Sequence, residues 1–183
     1  MIHFILGGAR SGKSRYAEQL AQASNLAVSY IATAQAYDAE MHSRIAHHQQ
    51  QRPQDWHVIE EPIELVKCLQ SIDRVDHVIL VDCLTLWVSN LLMCNSDAEP
   101  DVNSEAEQPH IAAFAALLTV LPTLKSTVIL VSNETGLGVV PMGQLSRRFV
   151  DESGRLHQQL GQIADQVVFC VAGFPMILKG ATA

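Results

Sequence analysis

The chain predicts an α/β fold: a mostly parallel central sheet flanked by helices. Three observations lead there. Short apolar runs recur along the 183 residues, and helical patterns separate them. Hydrophobic residues make up 48% of the chain but aromatics only 5%, so the core is mainly Leu, Val, Ile and Ala, as suits strands buried on both faces. The length is that of a single domain with an ordinary core.

The elements follow in order. Strands are expected at Ile2–Leu6, Ala27–Ile31, Trp56–Ile59, His77–Val81, Thr127–Val131 and Val167–Val171. Helices are expected at Ser14–Ala23, Asp38–Gln50, Pro62–Gln70, Leu84–Met93, Ile111–Leu121 and Gly143–Ala164. The stretch from Asn95 to Glu107 is acidic, polar and without bulky apolar residues, and it reads as a surface loop inside one domain spanning 1–183. No internal repeat stands out.

Bulk properties narrow the function. A formal charge of −7 gives no general attraction for nucleic acid or anionic lipid, so any bound phosphate needs a local site. The four cysteines, Cys68, Cys83, Cys94 and Cys170, lack C-x-x-C spacing; three lie in apolar runs and read as free buried thiols of a reducing compartment. The opening Met1–Leu6 lacks a basic flank and reads as a strand rather than a signal peptide. No apolar stretch is long enough to span a membrane, and a soluble cytoplasmic protein is expected.

Gly7-Gly8-Ala9-Arg10-Ser11-Gly12-Lys13-Ser14 fits the pattern G-x-x-x-x-G-K-[ST]. Its glycines let the backbone turn N–H groups onto a phosphate, and the following helix adds the positive end of its dipole. Lys13 is a point charge for the outer phosphates. The Ser14 hydroxyl is a ligand for Mg²⁺, which bridges those phosphates. A strand before the loop and a helix after it are the context this motif of P-loop NTPases requires, and the loop is expected at the amino edge of the sheet. Asp82 ends the apolar run His77–Val81, where a carboxylate either orients the metal or caps the next helix.

The segment Asp38–Pro53 holds three of the eight histidines. As a helix it sets Met41, Ile45 and His48 on one stripe, with Glu40, Arg44 and His47 on the next. A neutral imidazole attacks phosphorus to form a phosphoramidate, and Arg44 offsets the charge on the phosphate. The other reading is a solvated helix face. The spacing is poor for zinc.

Further motifs extend the series: Tyr30-Ile31-Ala32-Thr33-Ala34, Arg44-Ile45-Ala46-His47-His48, Arg52-Pro53 with Trp56, Glu60-Glu61-Pro62, Val81-Asp82-Cys83-Leu84-Thr85, the run Ser132–Pro141, the run Arg148–Arg155, and Ala164-Asp165. In this order they resemble the bifunctional adenosylcobinamide kinase and adenosylcobinamide-phosphate guanylyltransferase family of cobalamin assembly, over nearly the whole chain. The resemblance implies a RecA-like P-loop NTPase fold. It implies phosphorylation of adenosylcobinamide with ATP or GTP, then transfer of GMP from GTP to adenosylcobinamide phosphate through a guanylylated histidine, His47. It implies nucleotide contacts at Gly7, Gly8, Ala9, Arg10, Ser11, Gly12, Lys13, Ser14, Ala32, Thr33, Ala34, His48, Gln49, Gln50, Gln51, Glu60 and Asp82, with Mg²⁺ at Ser14 and Asp82. It also implies a symmetric trimer. His157 stands where asparagine is more usual and receives no role.

Several points stay open in the residues. Glu60 reads as a guanine or ribose acceptor or as a solvated turn. Arg147 and Arg148 read as a phosphate-reaching pair or a solvated face. Asn133-Glu134-Thr135-Gly136 reads as a turn with or without a ligand. A plain small-metabolite kinase with incidental histidines is the rival enzyme. A GTP-dependent switch would need an N-K-x-D segment, which Ser132-Asn133-Glu134-Thr135 is not. Whether one triphosphate pose serves both reactions is also open: the γ-group sits deep in the loop while His47 must reach the α-group, so either the nucleotide rebinds or the His47 helix moves.

Overall fold

The computed structural model describes residues 1–35, 53, 55–94 and 109–181. The expected helix Asp38–Gln50 and the acidic stretch 95–107 lie outside the described residues.

Seven strands form one sheet: β1 (Ile2–Gly7), β2 (Ala27–Ala32), β3 (His57–Glu60), β4 (His77–Asp82), β5 (Thr127–Asn133), β6 (Gln166–Val171) and β7 (Phe174–Lys179). Their spatial order is β3-β2-β4-β5-β1-β6-β7. All pairings are parallel except β6 with β7. The helices are α1 (Lys13–Ala23), α2 (Leu65–Ile72), α3 (Leu84–Cys94), α4 (Pro109–Val120) and α5 (Gln144–Ile163).

Strand alternation sorts the core into two layers. Phe4, Leu6, Ile79, Val81, Val128 and Leu130 face α2, α3, α4 and α5, whose Leu65, Leu69, Trp87, Phe114, Leu117, Leu156 and Leu160 complete that layer. Ile5, Val28, Tyr30, Val78, Leu80, Ile129 and Val131 face the other way, onto Ala17 and Ala21 of α1 and onto Trp56. Both faces are covered, which is why β1, β4 and β5 read as unbroken apolar runs. The two alanines let α1 lie close against the sheet, so the loop before it sits directly over the strand ends.

Every strand predicted from sequence is present, most extended by one or two residues. β7 was not anticipated. The chain turns at Ala172 and Gly173, both at positive φ, and Phe174 then pairs back on Val171. The helix predicted from Pro62 starts later, at Leu65, because the Glu61 carboxylate accepts the N–H groups of Ile63 (3.0 Å) and Glu64 (2.8 Å) and holds that turn outside the helix. Of the cysteines, all free, Cys83 and Cys170 are buried, Cys68 is half-buried and Cys94 exposed.

Candidate nucleotide site

β1 runs into the phosphate loop at its last residue, Gly7, and α1 leaves the loop at Lys13. The loop therefore sits at the carboxyl edge of the sheet, not the amino edge expected from sequence, as parallel strands followed by helices require. Crowding and backbone conformation account for two of its three glycines. A Cβ on Gly7 would lie 2.4 Å from Ser11 Oγ and 2.7 Å from the Cys170 carbonyl oxygen. Gly12 caps α1 at φ 93, a left-handed conformation costly for other residues. The loop is braced from the far end of the chain, where Gly173 N–H donates to Ser11 O at 2.9 Å. From β5, Glu134 N–H donates to Gly7 O at 3.1 Å.

Within this frame Lys13 Nζ donates to Gly8 O at 3.3 Å and lies across the loop. Its ammonium is close enough to pull down both neighbouring thiols, Cys83 and Cys170. Burial outweighs that pull, with Asp82 adding to it at Cys83, and the Cys83 thiol is pushed up to about 11. Both cysteines are neutral packing groups here. Ser11 Oγ is buried and has no hydrogen-bond partner among the described residues. Such an atom inside a bent, amide-lined loop is suited to a phosphate oxygen.

The carboxyl edge collects most of the other expected residues. Ala32 is in register with Asp82 on one side and with Glu60 on the other. Asp82 pairs with Val131 of β5, and Asn133 with Gly7. Thr33 is fully buried. Its hydroxyl donates to Cys83 O (2.6 Å) and accepts Cys83 N–H (2.9 Å), while Asn90 Nδ2 donates to Thr33 O (2.9 Å). Its polar groups are thus engaged within the protein, and Ala32 and Ala34 are the half-exposed members of that trio. Asp82 and Ser14 are half-buried, and among the described residues neither side chain is held in a hydrogen bond. Carboxylate and hydroxyl oxygens are the hard donors Mg²⁺ takes, so these two residues fit the metal.

Glu60 stands apart. It is exposed at the end of β3, four strand steps from β1, or about 19 Å at ~4.8 Å per step. One phosphate cannot touch both. His47, His48, Gln49, Gln50 and Gln51 lie outside the described residues.

Sequence reading missed one cluster at this edge. Ser132 Oγ lies 2.8 Å from His157 Nε2 and 3.2 Å from Thr85 Oγ1. Asn133 N–H donates to Thr85 Oγ1 at 2.6 Å, and Glu134 Oε2 is 3.8 Å from His157 Nδ1. Burial holds His157 below the usual histidine range, against the opposing pull of Glu134. The available signal was the switch from apolar to polar residues at Ser132-Asn133-Glu134, directly after a buried strand.

A family profile described as cobinamide kinase / cobinamide phosphate guanyltransferase matches residues 3–178. The chain belongs to that family. It is 54% identical over 180 residues to the bifunctional adenosylcobalamin biosynthesis protein CobP of Pseudomonas aeruginosa, covering 98% of each chain. It is 39% identical to the bifunctional adenosylcobalamin biosynthesis protein CobU of Escherichia coli, covering 98% of this chain and 100% of that one. Among solved structures, the fold resembles the assembled type III secretion ATPase EscN of enteropathogenic E. coli, at TM-score 0.57 and 14% identity over 98% of this chain and 47% of that one. It also resembles the RadB recombinase, at TM-score 0.50 and 14% identity over 92% and 73%. These likenesses place the family's chain among P-loop NTPase folds, in agreement with the loop geometry. Among the described residues no helix is long and apolar enough to cross a membrane.

Proposed function

We propose that the chain phosphorylates adenosylcobinamide with ATP or GTP and then transfers GMP from GTP onto the resulting phosphate by way of a guanylylated His47. The observation that carries the nucleotide chemistry is the braced loop Gly7–Ser14 at the carboxyl edge, with Lys13 lying across it and Ser11 Oγ buried and unpartnered. Family membership and the two bifunctional relatives support the choice of acceptor.

In the kinase step the loop amides and Lys13 hold the triphosphate and take up charge as the acceptor oxygen bonds to the γ-phosphorus. Ser14 and Asp82 would hold Mg²⁺, which supplies electrostatic stabilisation of the phosphate oxygens when bound. In the transferase step a ring nitrogen of His47 attacks the α-phosphorus of GTP and pyrophosphate leaves. The acceptor phosphate then displaces the histidine and carries away GMP. The separation of about 19 Å between Glu60 and the loop, estimated from strand spacing, favours two nucleotide positions. One holds the triphosphate in the loop for γ-transfer. The other holds GTP toward Ala32, Thr33, Ala34 and Glu60, with His48, Gln49, Gln50 and Gln51 as further contacts. The enzyme acts in the cytoplasm on small molecules, without nucleic acid, as a homotrimer; the charge of −7 and the exposed apolar side chains at Leu137, Val139, Val140 and Met142 support this.

The test uses GTP labelled at the α-phosphate. After denaturation the protein should retain an acid-labile, base-stable label that His47→Ala loses and His48→Ala keeps. Lys13→Ala should lose γ-transfer to adenosylcobinamide. A label that persists in His47→Ala, or a Lys13→Ala variant active in both reactions, would refute this reading.

A further inference from the structure

The cluster around His157 carries a second assignment. Its proton positions follow from one fixed acceptor, the Glu134 carboxylate. Asn133 N–H donates to Thr85 Oγ1, which lies 3.2 Å from Ser132 Oγ. A carboxylate can only accept, so the His157 Nδ1 that faces Glu134 carries the ring proton. Nε2 of the neutral ring then accepts the Ser132 proton at 2.8 Å. Nδ1 faces Glu134 Oε2 at 3.8 Å. The chain of bonds therefore ends by presenting an N–H to a carboxylate.

Glu134 is placed for chemistry. β5 lies between β4 and β1, so Glu134 emerges between the strand that ends in Asp82 and the strand that ends in the phosphate loop. Its backbone N–H is on Gly7 O. Oε1 accepts Gly136 N–H at 2.5 Å, which fixes one carboxylate oxygen. The His157 side chain is 9% exposed and that of Glu134 22%, so the imidazole is enclosed while the carboxylate reaches solvent. Beside it, Asn133 Oδ1 is buried without a partner among the described residues.

We propose that Glu134 takes the proton of the acceptor hydroxyl during γ-phosphoryl transfer, and that His157 is the positioning residue that aims its carboxylate. The step balances. The hydroxyl oxygen bonds to the γ-phosphorus, and the bond from that phosphorus to the β-bridging oxygen breaks. The nucleoside diphosphate leaves with that electron pair, and the hydroxyl proton goes to Glu134 and then to water. The inference rests on the kinase half of the functional reading and adds nothing to the histidine half, which uses a different phosphorus.

The experiment measures phosphorylation of adenosylcobinamide and self-labelling from α-labelled GTP, side by side, in the full-length protein. Glu134→Gln keeps an acceptor oxygen for Gly136 N–H but cannot take a proton; its kinase kcat should fall ~10²–10⁴-fold, as for loss of a general base. Nucleotide KM and self-labelling should stay at wild-type levels. His157→Leu should lower kinase kcat by roughly tenfold, and His157→Asn should restore most of it, because an amide can accept from Ser132 and donate to Glu134. Wild-type kinase turnover in Glu134→Gln would overturn the proposal. So would a loss that comes with raised nucleotide KM and absent self-labelling, which marks a merely structural turn. Equal behaviour of His157→Leu and His157→Asn would overturn the positioning role. A wild-type protein that phosphorylates no adenosylcobinamide would overturn the functional reading and this inference with it, and that result is seen before any variant is made.

Discussion

Thr33 and Cys83 hold each other in a reciprocal pair of hydrogen bonds, hydroxyl to carbonyl at 2.6 Å and amide to hydroxyl at 2.9 Å. One side chain thereby satisfies both backbone groups of a buried residue and ties the end of β2 to the end of β4 next to Asp82. Thr33→Val keeps the shape and removes the hydroxyl, leaving the Cys83 N–H unpaired and its C=O with only the Trp87 N–H at 3.3 Å. It should cost about 1–3 kcal/mol, read as a lower urea midpoint at unchanged slope. Thr33→Ser should cost much less. Equal midpoints for the two variants would rule out the clasp as a source of stability.

Gly7 is fixed by crowding rather than by dihedral angle. A methyl group there meets Ser11 Oγ and the Cys170 carbonyl at 2.4 and 2.7 Å, and the carbonyl belongs to a sheet strand that cannot yield. Gly7→Ala should displace the loop, lowering stability by about 1–3 kcal/mol, typical of overpacking, and weakening ATP binding at least tenfold by calorimetry. Gly8→Ala, where nothing lies within 4 Å of the added atom, is the control and should leave the melting temperature nearly unchanged.

Acid should weaken the fold before any carboxylate titrates. His77, His110 and His157 are all held below the usual histidine value, in each case chiefly by burial. Arg74 and Arg148 add to the effect at His77 and His110, while Asp73, Glu152 and Glu134 oppose it at the three sites in turn. The folded state thus binds fewer protons than the unfolded chain, and stability rises with pH in this range. It is full above about pH 6.5, the unfolded histidine value, and is lost as pH falls through the depressed folded values. Urea midpoints measured from pH 7.5 to 5 should fall steadily, and His157→Asn should flatten the slope. A level profile would contradict the assignment.

After β5 the chain carries Leu137, Val139, Val140 and Met142 at 81%, 96%, 71% and 95% exposure. Four apolar side chains so close together and so open suit the proposed subunit contact. On the proposed trimer, Val139→Asp combined with Met142→Glu should shift sedimentation velocity from trimer to monomer, with little loss of secondary structure. A wild-type monomer at micromolar concentration would refute the trimer.

Five of the six parallel strands were legible because both of their faces are largely buried, which writes each as an apolar run; β3, mostly exposed at the other edge of the sheet, shows only a short run. β7 was not legible. It carries Pro175, it is the edge of the sheet with exposed Phe174, Met176 and Leu178, and so it shows no buried face. The clue was the Ala172-Gly173 turn between two apolar runs. The phosphate loop was legible because its eight residues are contiguous and their spacing alone sets the turn, the ammonium and the hydroxyl. The Thr85–Ser132–His157–Glu134 cluster was not, because it joins α3, β5 and α5 and exists only after they pack. Thr33 was found through resemblance, which could not tell that its hydroxyl serves Cys83.

The phosphate loop is written at the start of the chain but is walled by its end. β1 takes its two neighbours from β5 and β6, and the loop leans on Gly173. A ribosome that has released only the first 120 residues has made the whole motif and neither flanking strand. Nucleotide capture should therefore wait until β5 and β6 have been made, and ATP should not template the earlier folding of the nascent chain. Contacts this distant in sequence also slow the search for the native state, so chaperone demand should fall on the completed polypeptide.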